Sequence, residues 1–400
     1  MITSLTVKGY RSLKDVTIPL GPLNVMIGPN GGGKTNIMDV VALLQEGARG
    51  NLSNGIADVR RGGIRRLLFA GGAETIEMQV EIPVREGSTQ RLGLGTANTL
   101  SYGVVLAPVR DGYRVESERI QGNDIRMATS SQQMLSGLLA ALSGTAKPTG
   151  KNLPAEPKPA ELVLSQAETL PVGPLRERAE LVRALLGYFA SLYRLPDTRP
   201  DAPMRLPQVV RPETELKPDS SNLAALLNLL SESDQRRQEY EAIREELQAG
   251  FPHEFEDLRF PAAHGEGTIM MRWLEKAFPT HSFDTFEISD GTINFVRLAA
   301  LIETSGWGTV CIDEPEIGLH PRLIGLVAEM LQAASKRTQF IVATHSPTLV
   351  GALKPEEVLV VEKEDGATQV RRLDAEALKE WLKDFSLDEL WLTGQLEDAR

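Results

Sequence analysis

Apolar and polar positions follow strand-like and helix-like periods in different parts of the chain. Near its start, two segments predict strands, ITSLTVKGY by alternation and PLNVMIG by its apolar run. The second runs directly into a glycine-rich loop, and the following NIMDVVALLQEGA has apolar residues at helical spacing. Three alternating segments within residues 75–120 predict an antiparallel sheet: TIEMQVEIP, SYGVVLAP and YRVESERI.

The middle of the chain, residues 121–288, has a helical texture. Helices are predicted for QQMLSGLLAAL, ERAELVRALLGYFASLY, NLAALLNLL and SDQRRQEYEAIREELQ. Between them, SGTAKPTGKNLPAEPKPAE predicts an exposed loop or a locally disordered insertion, because it is rich in Pro, Lys, Ala and Gly. The proline-broken LPDTRPDAPMRLPQVVRPETELKPD holds more apolar residues and is expected to pack over a surface.

The last hundred residues return to alternation of strands and helices. GTVCIDEP, QFIVATH and EEVLVVEK predict strands, and PRLIGLVAEMLQAASK predicts a helix. Apolar strands that alternate with helices predict a mostly parallel sheet, assembled here from both ends of the chain. We therefore expect one split lobe, residues 1–120 plus 289–400, and an inserted helical lobe, residues 121–288.

Composition narrows the class of protein. A chain of 400 residues with 42% apolar and 24% charged residues is expected to form more than one globular core. Neither a signal peptide nor an apolar run of about 18 residues is present, so we expect neither secretion nor membrane insertion. The single cysteine, Cys311, excludes an intrachain disulfide and suits the cytoplasm. With a net charge of −11, any binding of nucleic acid needs a local basic surface.

The stretch GPNGGGKT, residues 28–35, matches the phosphate-loop pattern GxxxxGK[ST]. Its glycines let backbone amides converge on phosphates, Lys34 can bridge the β and γ oxygens, and the Thr35 hydroxyl can ligate Mg²⁺. A turn that matches by chance is the alternative, but the flanking strand and helix are the context that the motif requires. The predicted nucleotide-binding residues are Asn30, Gly31, Gly32, Gly33, Lys34, Thr35 and Asn36.

Two later strand ends carry side chains suited to hydrolysis. Asp313 and Glu314 follow GTVCI, at the end of a strand where sites in parallel sheets lie. We expect Asp313 to hold Mg²⁺ through water and Glu314 to polarise the attacking water. His345 ends the next strand and is placed to contact the γ-phosphate and orient that water. Solvated acids and a structural histidine are the alternatives.

The segment ISDGTINFVRLAALI predicts a helix that begins near Ser289. Small residues and a hydroxyl there suit either a simple helix cap or a second phosphate-binding surface. Within one chain, such a surface is superfluous, because the glycine loop already serves the phosphates.

These elements, in this order, resemble the ABC-type ATPases, specifically their RecF/SMC-like soluble branch with the AAA_21 and OLD-like predicted ATPases. The resemblance covers nearly the whole chain. It rests on the opening LTVKGYRSLKDVTIPLGPLNVMIGPNGGGKTN, the signature-like ISDGT, CIDEPEIGLHP, ATHSP with the switch histidine, and the ending VLVVEKEDGATQVRRLDAEALKEWLKDFSLDELW. It implies an α/β P-loop NTPase: an ABC-ATPase head with a mixed, mostly parallel sheet, a flanking antiparallel sheet and an inserted helical lobe.

The resemblance also implies ATP and Mg²⁺ as ligands and a head-to-tail homodimer. Ser289 and Gly291 of each chain would complete the site of the other. Arg11 matches an early arginine of the branch, for which a contact with phosphate or adenine and an exposed ion pair are both open. Gly32 stands where serine is common, and Asp290 where transporter-type relatives have glycine. Gln79 and Gln45 are candidates for the glutamine that senses magnesium.

Two functions remain open. The first is an ATP-gated dimer in DNA repair or maintenance, or in antiphage defence, in which a basic cluster touches DNA. The second is an ATP-dependent switch that controls a separate effector protein without binding DNA. The densest basic cluster consists of Arg60, Arg61, Arg65 and Arg66.

Other members of this broad class fit poorly. Only 55 residues follow His345, so we expect no fused nuclease domain of the OLD type. The 255 residues from Lys34 to Ser289 exceed the spacing in transporter heads. A long-coil SMC protein would need heptads, a zinc hook would need a cysteine pair, and a small-molecule kinase would not need the later motifs.

Overall fold

The computed structural model describes residues 1–84, 92, 94, 98–121, 123–125, 160–187, 190–194, 197–263, 267–306 and 308–398. The predicted helix QQMLSGLLAAL and most of the predicted loop SGTAKPTGKNLPAEPKPAE lie outside these residues. The chain forms two compact units. The first contains Met1–Gly21, Gly28–Ala190 and Val361–Arg371, and the second contains Pro22–Ile27, Ser191–Val360 and Arg372–Arg400.

The first unit is built on an antiparallel sheet with strand order β2-β1-β4-β5-β6-β7. Burial alternates along β4, so that one face of the sheet packs inward and the other is solvated. The predicted antiparallel segments are thereby confirmed. The strands are β1 (Ser4–Tyr10), β2 (Leu13–Pro19), β4 (Ile76–Pro83), β5 (Thr99–Val109), β6 (Gly112–Ile120) and β7 (Asn123–Asp124), and the helices are α1 (Lys34–Ala48), α2 (Leu52–Ala57), α3 (Ile64–Leu67), a 3₁₀ helix (Val163–Thr169) and α4 (Pro174–Gly187).

The second unit is built on a sheet with strand order β16-β3-β15-β14-β8, in which β16, β3, β15 and β14 pair in parallel. Because helices cover both faces of such sheets, its central strands are buried throughout and mostly apolar. The predicted mostly parallel sheet is confirmed. Its strands are β3 (Leu23–Ile27), β8 (Ala190–Tyr193), β14 (Thr309–Asp313), β15 (Gln339–Ala343) and β16 (Val358–Glu364), which continues into the first unit and is followed there by β17 (Ala367–Arg372).

Helices and two small sheets complete the second unit. The helices include α5 (Leu223–Glu232), α6 (Arg237–Gly250), α7 (Asp290–Thr304), α8 (Pro321–Ala334), α9 (Pro347–Gly351), α10 (Ala375–Leu378), α11 (Leu387–Leu392) and α12 (Gln395–Asp398), with 3₁₀ turns at Pro355–Glu357 and Trp381–Lys383. The small antiparallel sheets contain β9 (Gln208–Val209) with β11 (Thr268–Ile269), and β10 (Phe255–Arg259), β12 (Arg272–Glu275) and β13 (Ser282–Asp284). No helix among the described residues is long and apolar enough to cross a membrane.

One prediction about the middle of the chain is wrong in detail, and short strands there were not predicted. The helix predicted for ERAELVRALLGYFASLY ends at Gly187, and Ala190–Tyr193 forms the edge strand β8 instead. The Tyr193 hydroxyl donates to the Leu216 carbonyl at 2.6 Å from a buried position, so tertiary packing outweighs helical spacing there. The strands β10, β12 and β13 were not predicted, because they are short and β10 contains a register shift.

Helix α6 carries a carboxyl group that makes stability depend on pH. Burial, and then Glu303, Glu329 and Glu245, raise the pKa of Glu246 to about 7. The folded state therefore holds a proton there that the unfolded chain loses near the ordinary glutamate pKa, so stability falls as pH rises towards 7 and then levels off. We expect Glu246→Gln to raise the melting temperature more at pH 8 than at pH 5. The exposed Glu256→Gln is the control, and equal gains at both pH values would contradict this assignment.

Candidate functional site

The glycine loop lies in the first unit and leads into α1, as predicted. Gly28, Gly31 and Gly33 have φ angles of 133°, 81° and 121°, a region that favours glycine. Helix α1 begins at Lys34 without a side-chain cap, so its first-turn amides suit an anion. The Lys34 Nζ donates to the carbonyls of Gly28 at 2.6 Å and Pro29 at 3.1 Å, which holds the lysine over the loop.

Arg11 is tied to the same helix from the turn between β1 and β2. Its φ of 46° is unusual for a residue with a side chain. Its Nη1 donates to Asn36 Oδ1 at 3.3 Å and lies 3.6 Å from Asp39 Oδ2. Arg11 thus forms an ion pair, but with a buried acid and not on the exposed surface as the second interpretation had it, and the nucleotide contact stays a prediction. Asn36 also donates to Ser12 Oγ at 2.8 Å, so its amide supports the loop.

Asp39 is the buried centre of this cluster. Its carboxylate accepts from the Tyr10 hydroxyl at 2.5 Å and lies 2.9 Å from the Arg61 Nη2. Burial and the Asp39 carboxylate raise the pKa of Tyr10, so this hydroxyl stays protonated as a donor. Arg61 is only 7% exposed. The predicted cluster of four arginines is therefore corrected to an exposed set of three, Arg60, Arg65 and Arg66, because the fourth neutralises Asp39.

The acidic pair lies in the second unit, at the carboxyl edge of the parallel sheet. Strand β14 ends at Asp313, which is in register with Ala343 at the end of β15. Glu314 has a φ of 51°, and its backbone N–H donates to the Ala343 carbonyl at 2.9 Å. A left-handed backbone conformation at a residue other than glycine costs about 1–3 kcal/mol. Such strained residues occur most often at functional sites. Strand β3, beside β15, ends at Ile27, directly before the glycine loop.

His345 and Glu314 come together at this edge, as the sequence predicts. His345 Nε2 lies 4.0 Å from Glu314 Oε1, and both side chains are more than a third exposed. The His345 backbone N–H donates to Glu316 Oε1 at 2.7 Å, while the buried Oε2 has no hydrogen-bond partner among the described residues. Sequence reasoning missed Glu316, which positions the histidine. The third acid in DEPE was the available signal.

Ser289 begins helix α7, as predicted. Its Oγ accepts from the Thr292 N–H at 3.0 Å. A Cβ on Gly291 would overlap the Gly318 carbonyl, so only glycine fits where the helix start meets the segment after Glu314. Asn294 fastens the same contact by donating to the Ile317 carbonyl at 2.8 Å.

Arg205 explains why an aspartate follows Ser289. The arginine is buried, and its Nη2 lies 2.5 Å from Asp290 Oδ1. It also donates to the carbonyls of Thr285 and Ile288. One guanidinium thus holds the backbone of the segment that precedes α7. Sequence reasoning missed Arg205, because it stands in a proline-broken segment far along the chain from the helix that it supports.

The two glutamine candidates lie on different elements of the first unit. Gln45 is buried on α1, eleven residues and about 16 Å along the helix from Lys34. Gln79 lies on the exposed face of β4. Among the described residues, no group of three or more His, Cys, Asp or Glu side chains could hold a metal by itself. Magnesium at a nucleotide needs only one or two carboxylates besides the phosphates, so the residues present fit that ion.

Two sequence families match the chain. The model described as "AAA domain, putative AbiEii toxin, Type IV TA system" matches residues 189–351, and the one described as "AAA ATPase domain" matches residues 1–82. An OLD nuclease from Thermus scotoductus is 48% identical over 44 residues, which are 11% of this chain and 8% of that protein. The chain thus aligns with less than a tenth of this relative.

Solved SMC heads share the fold. An SMC head bound to the C-terminal winged-helix domain of ScpA has 19% identity and a TM-score of 0.56, over 94% of this chain and 98% of that one. An SMC head with an extended coiled coil, bound to the C-terminal domain of ScpA from Pyrococcus furiosus, has 17% identity and a TM-score of 0.52, over 96% and 98%. Two ATPase family models thus match separate parts of the chain, and the chain has the fold of SMC heads.

Proposed function

We propose that this protein binds ATP with Mg²⁺ in the cytoplasm and hydrolyses it to ADP and phosphate. Asn30 to Asn36 hold the phosphates, with Lys34 on the β and γ oxygens and Thr35 on the ion. Asp313 holds the ion through water, Glu314 polarises the attacking water, and His345 orients it. Magnesium, when bound, neutralises charge that develops on the transferred phosphoryl group.

The observation that carries this proposal is the shared carboxyl edge of β3, β15 and β14. Ile27, Ala343 and Asp313 end neighbouring parallel strands, and the glycine loop follows Ile27 in the chain. Ligands of open α/β sheets bind outside this edge. The strained backbone at Glu314 and the histidine 4.0 Å from its carboxylate give further support.

We further propose that two chains close head to tail around two ATP molecules. Ser289 is exposed at the start of a 15-residue helix, two residues before Gly291, and such a helix start suits a phosphate of a partner chain's nucleotide. The partner's Ser289 would then supply the missing wall of each site. Residues 121–288, predicted as one inserted lobe but divided between the two compact units, would carry the resulting movement to DNA or to a partner protein.

Substitution of Ser289 tests the dimer. We expect Ser289→Arg to bind ATP as a monomer and to hydrolyse it at least tenfold more slowly, because the arginine blocks closure. Size-exclusion chromatography with a non-hydrolysable ATP analogue and a phosphate-release assay measure both effects. Ser233→Arg, in the turn after α5, is the control. An unchanged dimer and unchanged hydrolysis in Ser289→Arg would reject the head-to-tail arrangement.

Two candidate roles differ in the molecule on which the dimer acts, DNA or a second protein. Arg60, Arg65 and Arg66 are exposed, which supports contact with DNA in repair, maintenance or antiphage defence. Trp381, Phe385 and Leu392 are 47%, 46% and 70% exposed, which instead favours a separately encoded effector protein. If DNA stimulates ATP hydrolysis at low salt, the role at DNA is supported. If DNA has no effect on hydrolysis, the control of an effector protein is the remaining candidate.

A further inference from the structure

The glycine loop rests on a hairpin from the far end of the chain, within the same unit. Strand β17 contributes Thr368, whose side chain is 1% exposed and whose Oγ1 donates to the Gly32 carbonyl at 2.7 Å. The Thr368 backbone N–H donates to the Ser12 carbonyl at 2.7 Å, which fixes the strand beside the turn between β1 and β2.

Thr368 ends a chain of hydrogen bonds that starts at Arg11. Arg11 donates to Asn36, Asn36 Nδ2 donates to Ser12 Oγ, and the hydroxyls of Ser12 and Thr368 lie 2.7 Å apart. A hydroxyl has one hydrogen, and the Gly32 carbonyl can only accept. The Thr368 hydrogen therefore goes to Gly32, and the Ser12 hydroxyl donates to Thr368.

The backbone of the hairpin also sets which residues the loop can contain. A Cβ on Gly32 would lie 2.7 Å from the Val361 carbonyl of β16, and one on Gly28 would overlap the same oxygen. A Cβ on Gly33 would overlap the Thr368 side chain. The glycine at position 32 thus has a steric cause in this chain.

We infer that Thr368 is a positioning residue for ATP binding. The Gly32 carbonyl and the Gly33 N–H belong to one planar trans peptide and point in opposite directions. A donor that fixes the carbonyl on the hairpin side therefore fixes the direction of the Gly33 N–H on the other side. Because phosphate loops bind through such amides, the hydroxyl of Thr368 preorganises the loop without touching the nucleotide. This inference rests on the proposed binding of ATP.

Three variants separate positioning from general stability. Thr368→Val keeps the shape but removes the donor, and Thr368→Ser keeps the donor. Thr338→Val is the matched control, because Thr338 is also fully buried and its hydroxyl can donate to a backbone carbonyl, that of Ser305 at 2.9 Å or that of Gly306. The dissociation constant of ATP with Mg²⁺ is measured by calorimetry, and the melting temperature is measured for each protein.

We expect Thr368→Val to weaken ATP binding at least about fivefold, the effect of one lost buried hydrogen bond. Thr368→Ser should stay within about twofold of the unsubstituted protein. Thr338→Val should lower the melting temperature without changing ATP binding. Gly32→Ser should weaken binding as well, because its Cβ meets the Val361 carbonyl.

The results for these variants test the positioning role of Thr368 separately from the binding of ATP. Tight ATP binding by both Thr368→Val and Gly32→Ser would overturn the inference and leave the proposed function standing. Equal weakening by Thr338→Val would show that lost stability, not positioning, causes the effect. If Thr368→Val does not fold, binding by Thr368→Ser and Gly32→Ser decides the matter. No binding of ATP by the unsubstituted protein would reject the proposed function itself.

Discussion

Replacing Glu314 by glutamine is expected to slow ATP hydrolysis by roughly 10²-fold or more and to leave ATP binding intact. Glutamine has nearly the same shape, so the backbone with a φ of 51° and the bond to the Ala343 carbonyl can persist. It cannot take a proton from water, which is the role proposed for Glu314. If hydrolysis reopens the dimer, this variant should also accumulate as a closed dimer.

Purified Glu314→Gln is analysed by size-exclusion chromatography with ATP, with and without DNA, and by phosphate release. Glu316→Gln is the matched control two positions away, because its amide oxygen can still accept from the His345 N–H. It should retain most of the activity. A Glu314→Gln protein that stays monomeric with ATP at high concentration would show that the proposed ATP sandwich is wrong. Undiminished hydrolysis would remove Glu314 from the mechanism.

The largest loss of stability is expected from Asp39→Ala, at about 3–5 kcal/mol. This change leaves the guanidinium of Arg61, which is 7% exposed, without its carboxylate, and it also removes the acceptor of Tyr10. A buried charge that loses its partner keeps its full cost of desolvation. Since Asp39 lies on α1, directly after the glycine loop, ATP binding should weaken too.

Urea unfolding of Asp39→Ala measures this loss. The exposed pair of Lys8 and Asp15, with side chains 48% and 62% exposed, is the control, and Asp15→Ala should cost less than about 1 kcal/mol. A double variant, Asp39→Leu with Arg61→Met, should recover part of the stability, because neither charge then remains. If Asp39→Ala unfolds at the same urea concentration as Asp15→Ala, the buried network does not stabilise this unit.

Local patterns predicted most of the elements that surround the candidate site. Strand β3, the glycine loop and α1 follow one another in sequence, and their periods and turn residues are local signals. The same is true of the start of α7 at Ser289 and of the acids after β14. These predictions succeed because an element that buries one face has apolar residues at a regular spacing along its own sequence.

Predictions failed where partners lie far apart in the chain. Residues 190–193 continue a helical period but form β8, because the edge of the sheet accepts a strand there. In the sequence, Arg61 looks like one of four surface arginines, but in the structure it is buried in an ion pair with Asp39. Arg205 has no local signal for its bond to Asp290, which lies 85 positions away.

By itself, the sequence determined the class of fold, the glycine loop and the order of the chemical groups that resemble an ABC-type ATPase. Only the tertiary structure decided how those groups are supported. Thr368 reaches the Gly32 carbonyl across 336 positions, Glu316 holds the backbone of His345, and Val361 leaves no room for a side chain at Gly32. The physical reason is that hydrogen bonds and steric exclusion act over a few ångströms in space, whatever the separation along the chain.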